Sequence, residues 1–301
     1  MAIKFCFSTT ACPDWPLEEV LTKAGEYGYE GVELRTLGPG SANLASDPAL
    51  SSHERVAQLF SSSPIEPVCL STSLSLHHRQ TSAVHKVTLQ LKADMELARA
   101  IGCRFVRVFA ERIGFGESSQ ASIQRIARQV RPLAETAAEQ GVELLFENAG
   151  TFNHAKAWWW LLDLVDHPMV GMCWNVANAA AAGEPPTVSV PLLHRRIRMA
   201  KAKDAIITDG NECGWVLPGD GTVAISVFLR RLLGVGFDGF VSVEWDRLWF
   251  KSLAPPEEYL PEACSRLKAW VDENTELVEK GRKAAQKAAA KNAPKPAAAL
   301  K

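Results

Sequence analysis

The sequence predicts one α/β domain with the architecture of a (β/α)8 barrel. Short β-rich runs begin near residues 3, 32, 67, 105, 142, 169, 197 and 240, a spacing that leaves room for one βα unit each time. Stretches of helical period separate them, and single strands joined by helices imply a parallel sheet, because a parallel connection needs a crossover of about a dozen residues or more. Eight such units in roughly 280 residues match a closed barrel. A doubly wound sheet is the alternative. Against it, the first βα junction, Phe7-Ser8-Thr9-Thr10-Ala11, carries no glycine-rich dinucleotide loop, and Gly38-Pro39-Gly40 lacks the further spacing.

Each element has its own signal. Residues 3–7 form the first strand, after which Asp14 and Pro16 start a helix that continues through Leu17, Val20, Leu21 and Ala24 until Gly28 ends it. Residues 32–35 and 67–71 are the second and third strands. Val84, Val87, Leu91, Met95 and Ala98, three and four residues apart, mark a long helix closed by Gly102. Strand four spans 105–109. Ile123, Ile126, Val130 and Leu133 mark the next helix, which stops before Gly141, and strand five follows over 142–147. A helix over 155–165, strand six over 169–174, a shorter helical piece around 191–195 and strand seven over 197–202 come next. A helix over 223–233 is stopped by Gly234 and Gly236, strand eight spans 240–244, and residues 257–279 are helical. In the helix over 155–165, Trp158, Trp159 and Trp160 point about 100° apart, so one or two of them face outward.

Composition limits the function classes. Of 301 residues, 47% are apolar and 22% charged, with 33 Lys and Arg against 34 Asp and Glu, a formal charge of −1. That balance argues against a dedicated nucleic-acid binder, which needs a clustered basic excess. The charge is unevenly spread. Lys280, Arg282, Lys283, Lys287, Lys291, Lys295 and Lys301 are the only charged residues from 280 on, and setting these seven aside leaves residues 1–279 at −8. The barrel is therefore assigned to residues 1–279. Residues 280–301 form an Ala/Lys/Pro-rich tail with no bulky apolar residue before Leu300, expected to be disordered or a fraying helical extension. The seven cysteines are scattered without CxxC pairs, which suits buried thiols in a reducing compartment. With neither a secretory signal nor a run approaching the roughly 18 apolar residues of a membrane span, the expected location is the cytoplasm.

In a barrel of this kind the chemistry sits at the C-terminal ends of the strands. Strand two ends with Glu33 and Arg35, strand four is followed by Glu111, strand five ends in Glu147, strand seven supplies Lys201 and Lys203 before Asp204, and strand eight ends in Glu244 and Trp245. Glu147 and Glu244 each terminate an apolar run and are drawn into the barrel mouth. Two carboxylates facing each other there need a metal or a lysine between them.

Several segments carry a family resemblance. They are Leu144-Leu145-Phe146-Glu147-Asn148, Met172-Cys173-Trp174-Asn175-Val176-Ala177-Asn178-Ala179, Ala200-Lys201-Ala202-Lys203-Asp204-Ala205, Leu217-Pro218-Gly219-Asp220-Gly221 and the run from Gly236 to Trp245. In this order they resemble the sugar phosphate isomerase/epimerase group, the xylose isomerase-like TIM barrel superfamily that also holds endonuclease IV-like proteins. The resemblance covers roughly residues 3–270. It implies a divalent metal, Mn, Mg, Co or Zn, held by a glutamate, an aspartate, a histidine and a glutamate after strands five to eight. Glu147 and Glu244 match the first and last positions. Asn175 stands where the family usually has Asp, and Lys201 where many members have His. A neutral amide oxygen is a weaker ligand for a hard cation and an ammonium repels one, so a metal-free site with Lys201 between the glutamates is the other expectation.

The resemblance implies proton abstraction next to a carbonyl, with Glu147 and Glu244 as base and acid and Lys201 as electrophile where metal is lacking. Lys201, Asn178, Asp204, Trp245 and Glu111 are expected to meet a small-molecule carbohydrate, with no nucleic acid or membrane partner; a homo-oligomer is left open. Trp215, Trp245 and Trp249 lie in loops after strands and are candidates for an apolar wall over a sugar. Two rivals stand beside this reading. One is a barrel that binds a sugar or polyol without turning it over, favoured by Asn175 and Lys201. The other is an endonuclease IV-like repair enzyme, which needs a histidine-rich cluster. Here His53, His77, His78, His85, His154, His167 and His194 all miss the motif positions.

Overall fold

The computed structural model describes residues 3–36, 52–110, 113 and 116–292. Eight parallel strands close into a barrel: β1 (Lys4–Ser8), β2 (Gly31–Arg35), β3 (Glu66–Ser75), β4 (Phe105–Phe109), β5 (Glu143–Glu147), β6 (Val170–Asn175), β7 (Ile197–Ala202) and β10 (Phe240–Val243), the last pairing back onto β1. Every strand expected from the sequence is present. The helical layer comprises α1 (Leu17–Glu26), α2 (His53–Ser61), α3 (Thr81–Ala100), α4 (Ser119–Gln140), α5 (Ala155–Val165), α6 (Val176–Ala181), α7 (Pro186–Leu193), α8 (Ile225–Val235) and α9 (Pro256–Asn292).

Local chemistry sets the helix ends. Ser118 accepts a hydrogen bond from the Ala121 N–H at 3.2 Å and starts α4, and Gly141 stops it in the left-handed conformation, φ 68°. The apolar stripe of α4 (Ile123, Ile126, Val130, Leu133) is buried against the sheet, as its spacing predicts. In α5, Trp158 is buried against Phe146 with ring centroids 5.4 Å apart, whereas Trp159 turns outward under the Arg196 guanidinium. The last helix continues past Glu279 to Asn292, as its alanine and lysine content favours.

Strand alternation divides the barrel interior into levels. Cys6, Val68, Cys69, Phe105, Leu145, Cys173, Met199 and Phe240 form an apolar plug separate from the main core between sheet and helices. The next inward residues toward the strand ends are polar: Glu33, Ser71, Arg107, Glu147, Asn175, Lys201 and Ser242. The helices α2 and α6 were absent from the expected elements, and so was a hairpin. After β7 the chain forms an antiparallel hairpin, β8 (Asp204–Thr208) and β9 (Asn211–Val216), turning at Asp209 and Gly210 with φ of 51° and 76°. The Asp-Gly pair between two short β-rich runs was its signal. Six of the seven cysteines are buried as free thiols and Cys213 is exposed. Among the described residues no helix is long and apolar enough to cross a membrane.

Asp94 offers a check on the helical layer. It is buried in α3 with Gln90 Nε2 at 3.1 Å as its hydrogen-bond donor, and burial pushes its carboxyl up to about 6. A folded-state value above the unfolded one favours the neutral form, so stability is highest below the unfolded value and falls as pH rises through about 6. Asp94→Asn is expected to stabilise the protein, with a gain that grows by about 1 kcal/mol between pH 5 and 8 in denaturant titrations. A gain independent of pH would contradict this account.

Candidate active site

Lys201 is the centre of the polar level. Its stem rises from β7 inside the barrel, 1% exposed, and its Nζ lies 2.9 Å from Glu33 Oε1, 3.2 Å from Glu147 Oε2 and 3.0 Å from Glu244 Oε1. Arg107 Nε, from β4, approaches Glu147 Oε2 at 3.0 Å, so Glu147 faces two cations. The Asn175 amide donates from Nδ2 to Glu147 Oε1 and to Glu244 Oε2, both at 3.0 Å, and so ties the two glutamates together. Glu33 also accepts hydrogen bonds from the Ser71 and Ser242 hydroxyls. Sequence reasoning brought Glu147, Glu244, Asn175 and Lys201 to one place, and the structure does the same.

The electrostatics follow from burial and proximity. Burial by itself would lower the Lys201 ammonium, but the charges of Glu147, Glu244 and Glu33 hold it well above the usual lysine range. Burial opposes the ionised form of Glu244 too, yet Lys201 and Lys203 hold its carboxyl down at about 2. The buried Glu33 carboxyl is likewise lowered, by Lys201 and Arg107. Lys201, Glu244 and Glu33 therefore stay charged at neutral pH. Burial of such a set is tolerated only because each charge meets its opposite at contact distance.

Above this level the mouth is edged by a second set. Lys203 Nζ lies 2.9 Å from Glu212 Oε2 on β9, 3.2 Å from Asp246 Oδ2 and 3.9 Å from Glu244 Oε2. Burial and the Glu244 charge push the Asp246 carboxyl up to about 6. Trp215 and Phe250 touch here, with ring centroids 4.3 Å apart, and Trp249 is exposed nearby in sequence. Arg35, buried at the end of β2, donates to the Ser71 carbonyl and to Ser73 Oγ, with no carboxylate in ion-pair range among the described residues. Burial and then Arg107 lower its guanidinium to about 10.

Several expected substrate contacts fall elsewhere. Asp204 is fully buried, and its carboxylate accepts from the N–H groups of Ala205, Gly219, Gly221 and Val223. It therefore shapes the 217–223 loop rather than facing a ligand, and a Cβ at Gly221 would overlap its Oδ1. Trp245 points to the opposite side of the strand from Glu244. It is 3% exposed, stacks on Tyr259 of α9 at 3.7 Å and donates from Nε1 to the Ala254 carbonyl, so it packs the helical layer and is not a wall of the mouth. Asn178 is half-buried, with its amide donating to the Asn148 carbonyl at 2.7 Å. Glu111 lies outside the described residues. Arg107, Asp246 and Glu212 were missed by sequence reasoning. A lone arginine at the middle of an apolar strand was the signal for Arg107.

The residues present do not fit the divalent metal that the resemblance implies. Asn175 turns its amide NH2 toward the two glutamates, while its Oδ1 accepts the Ala177 and Asn178 N–H groups at 3.1 and 3.3 Å and caps α6. No lone pair of Asn175 is therefore aimed at the cluster, and an ammonium stands at its centre. Among the described residues no group of three His, Cys, Asp or Glu is arranged to hold a metal ion.

Asp204→Ala orphans four backbone donors, each worth about 1–3 kcal/mol when buried. It is expected to lower stability by at least about 3 kcal/mol in chemical denaturation. A variant as stable as the parent would show that water replaces the carboxylate.

Comparison with known proteins agrees with this architecture. The family described as xylose isomerase-like TIM barrel matches residues 21–270. An inosose isomerase of Bacillus velezensis is 24% identical over 269 residues, covering 85% of this chain and 92% of the relative. A fructoselysine 3-epimerase of Escherichia coli O157:H7 is 20% identical over 277 residues, covering 86% and 95%. The crystal structure of the IOLI protein with a bound zinc atom superposes with a TM-score of 0.71 at 19% identity, covering 91% of this chain and 98% of that one, a likeness of fold. The chain belongs to the xylose isomerase-like TIM barrel family.

Proposed function

We propose that the protein is a carbohydrate isomerase or epimerase that moves a proton next to a carbonyl of a polyhydroxylated substrate. The observation that carries this reading is the pair of carboxylates Glu147 and Glu244, bridged by Asn175 at 3.0 Å to each, at the strand ends where barrels of this class do chemistry. Relatives named as an isomerase of an inosose and a 3-epimerase of fructoselysine support it. Glu147 and Glu244 are assigned the roles of base and acid. One carboxylate takes the proton from the carbon beside the carbonyl, and the electron pair moves to the carbonyl oxygen to form an enediolate. A proton then returns to the opposite face or to the neighbouring carbon. Lys201 and Lys203 supply positive charge that offsets the developing oxyanion. Glu244, whose side chain is 13% exposed, is the carboxylate closer to the opening.

One observation favours a second reading. Asn175 directs both amide hydrogens at protein carboxylates, and Lys201 already faces three, so each carboxylate of the cluster has a cation in ion-pair range without a ligand. That suits a barrel that binds a sugar or polyol without turnover.

Proton exchange in D2O, followed by NMR with a panel of polyhydroxy ketones and their phosphates, separates the two. Deuterium is expected at the carbon beside the carbonyl of at least one compound, and Glu244→Gln should slow the exchange by at least about 100-fold. A compound that binds but never exchanges would replace the enzyme reading by the binding one.

A further inference from the structure

We propose that the Lys201 ammonium permanently takes the place of a divalent cation, so that the mouth works without metal, and that Glu33, Glu147 and Glu244, whose oxygens converge on Nζ, are a latent site that can hold a hard divalent ion only once the lysine is removed. Three oxygens from three separate segments of chain converge on one point, with Nζ distances of 2.9, 3.2 and 3.0 Å. Their orientation does not depend on the lysine alone. Ser71 and Ser242 hold Glu33, Arg107 approaches Glu147, and Asn175 holds Glu147 and Glu244 together. Carboxylates braced in this way form a preorganised anionic cage, the kind of site hard cations select.

The charges explain why the cage is filled from within. Besides Lys201, Glu147 meets Arg107, and Glu244 meets Lys203 at 3.9 Å, a cation already shared with Glu212 and Asp246, so without Lys201 the three carboxylates carry uncompensated negative charge in a water-poor interior. A tethered ammonium supplies the missing charge without a free ion. It also excludes a metal, both by repulsion and by occupying the point of convergence. Oxygens around a bound Ca2+ or Mn2+ stand roughly 2.1–2.6 Å away, so the carboxylates need to close in by less than about 1 Å once the lysine is removed. Glu33 gives this cage a composition of its own. It replaces the Asn175 side chain, whose oxygen is committed to capping α6.

Mn2+ binding to the purified full chain, measured by electron paramagnetic resonance and thermal melting, tests the inference without any turnover assay. A failure here is thereby distinguishable from a failure of the isomerase reading. Wild-type protein is expected to bind no stoichiometric Mn2+ and to melt at the same temperature with and without EDTA. Lys201→Ala, which opens the central space, should bind one Mn2+ per chain at least about 100-fold more tightly than wild type and regain thermal stability with it. Adding Glu33→Gln to that variant should weaken the binding again. Lys201→Met keeps a stem in the space without the charge and should bind less tightly than Lys201→Ala. Should Lys201→Ala fail to fold alone, refolding it with millimolar Mn2+ gives the same answer: recovery supports the latent site and no recovery overturns it. Stoichiometric metal in wild type, or a folded Lys201→Ala variant with unchanged affinity, would also overturn it.

Discussion

The contact of one buried ammonium with three carboxylates, two of them buried, governs the mouth of this barrel. Lys201 is almost fully enclosed, and so are Glu33 and Glu147. Each of these charges would be very costly alone in an interior of low dielectric, and removing one partner from a buried pair typically costs about 3–5 kcal/mol because the other is stranded. The set holds together because register places the charges at contact distance. Lys201 lies beside Ser242 on one side and Asn175 on the other, so β7 delivers its cation between the strands that supply the braces of the cage.

Below and outside this level the molecule is organised so that water does not compete for those charges. The apolar plug of Cys69, Phe105, Leu145, Cys173 and Met199 fills the barrel beneath, and the helices cover it on the outside. Among the described residues the cluster is flanked toward the strand ends by a slightly more accessible set, Lys203 held between Glu212 and Asp246. The hairpin that carries Glu212 is held at its start by Asp204, whose carboxylate gathers four backbone donors. A buried acid can thus be indispensable to a site without facing it. Asp204 positions the hairpin and loop, and the hairpin positions Glu212.

The candidate residues differ in how far a linear reading could reach them. Glu147 and Glu244 were legible because each ends an apolar strand, and Lys201 as a charge on strand seven, whereas Asn175 was placed only by the family resemblance of its segment. Trp245 was misread for a simple geometric reason: the strand's alternation that turns Glu244 inward sends the next residue outward onto Tyr259. Asp204 was misread because its partners are backbone N–H groups 15 to 19 residues away, which leave no side-chain pattern. Glu33 and Arg35 were seen as strand-end charges, yet nothing local shows that Glu33 meets Lys201 from the far side of the chain.

By itself the sequence determined the (β/α)8 architecture, the positions of all eight barrel strands and the gathering of charged residues at their C-terminal ends. It could do so because hydrophobic period, glycine stops and strand spacing are local properties. Only the tertiary structure decided what occupies the centre of the mouth. Six side chains from six segments spread between Glu33 and Glu244 meet there because closing the sheet brings one interior level of every strand to the same height. That level turns a set of separate charges into a single cage around a lysine. The outcome depends on strand register and on which atom of Asn175 faces inward, and no run of residues in the chain encodes either one locally.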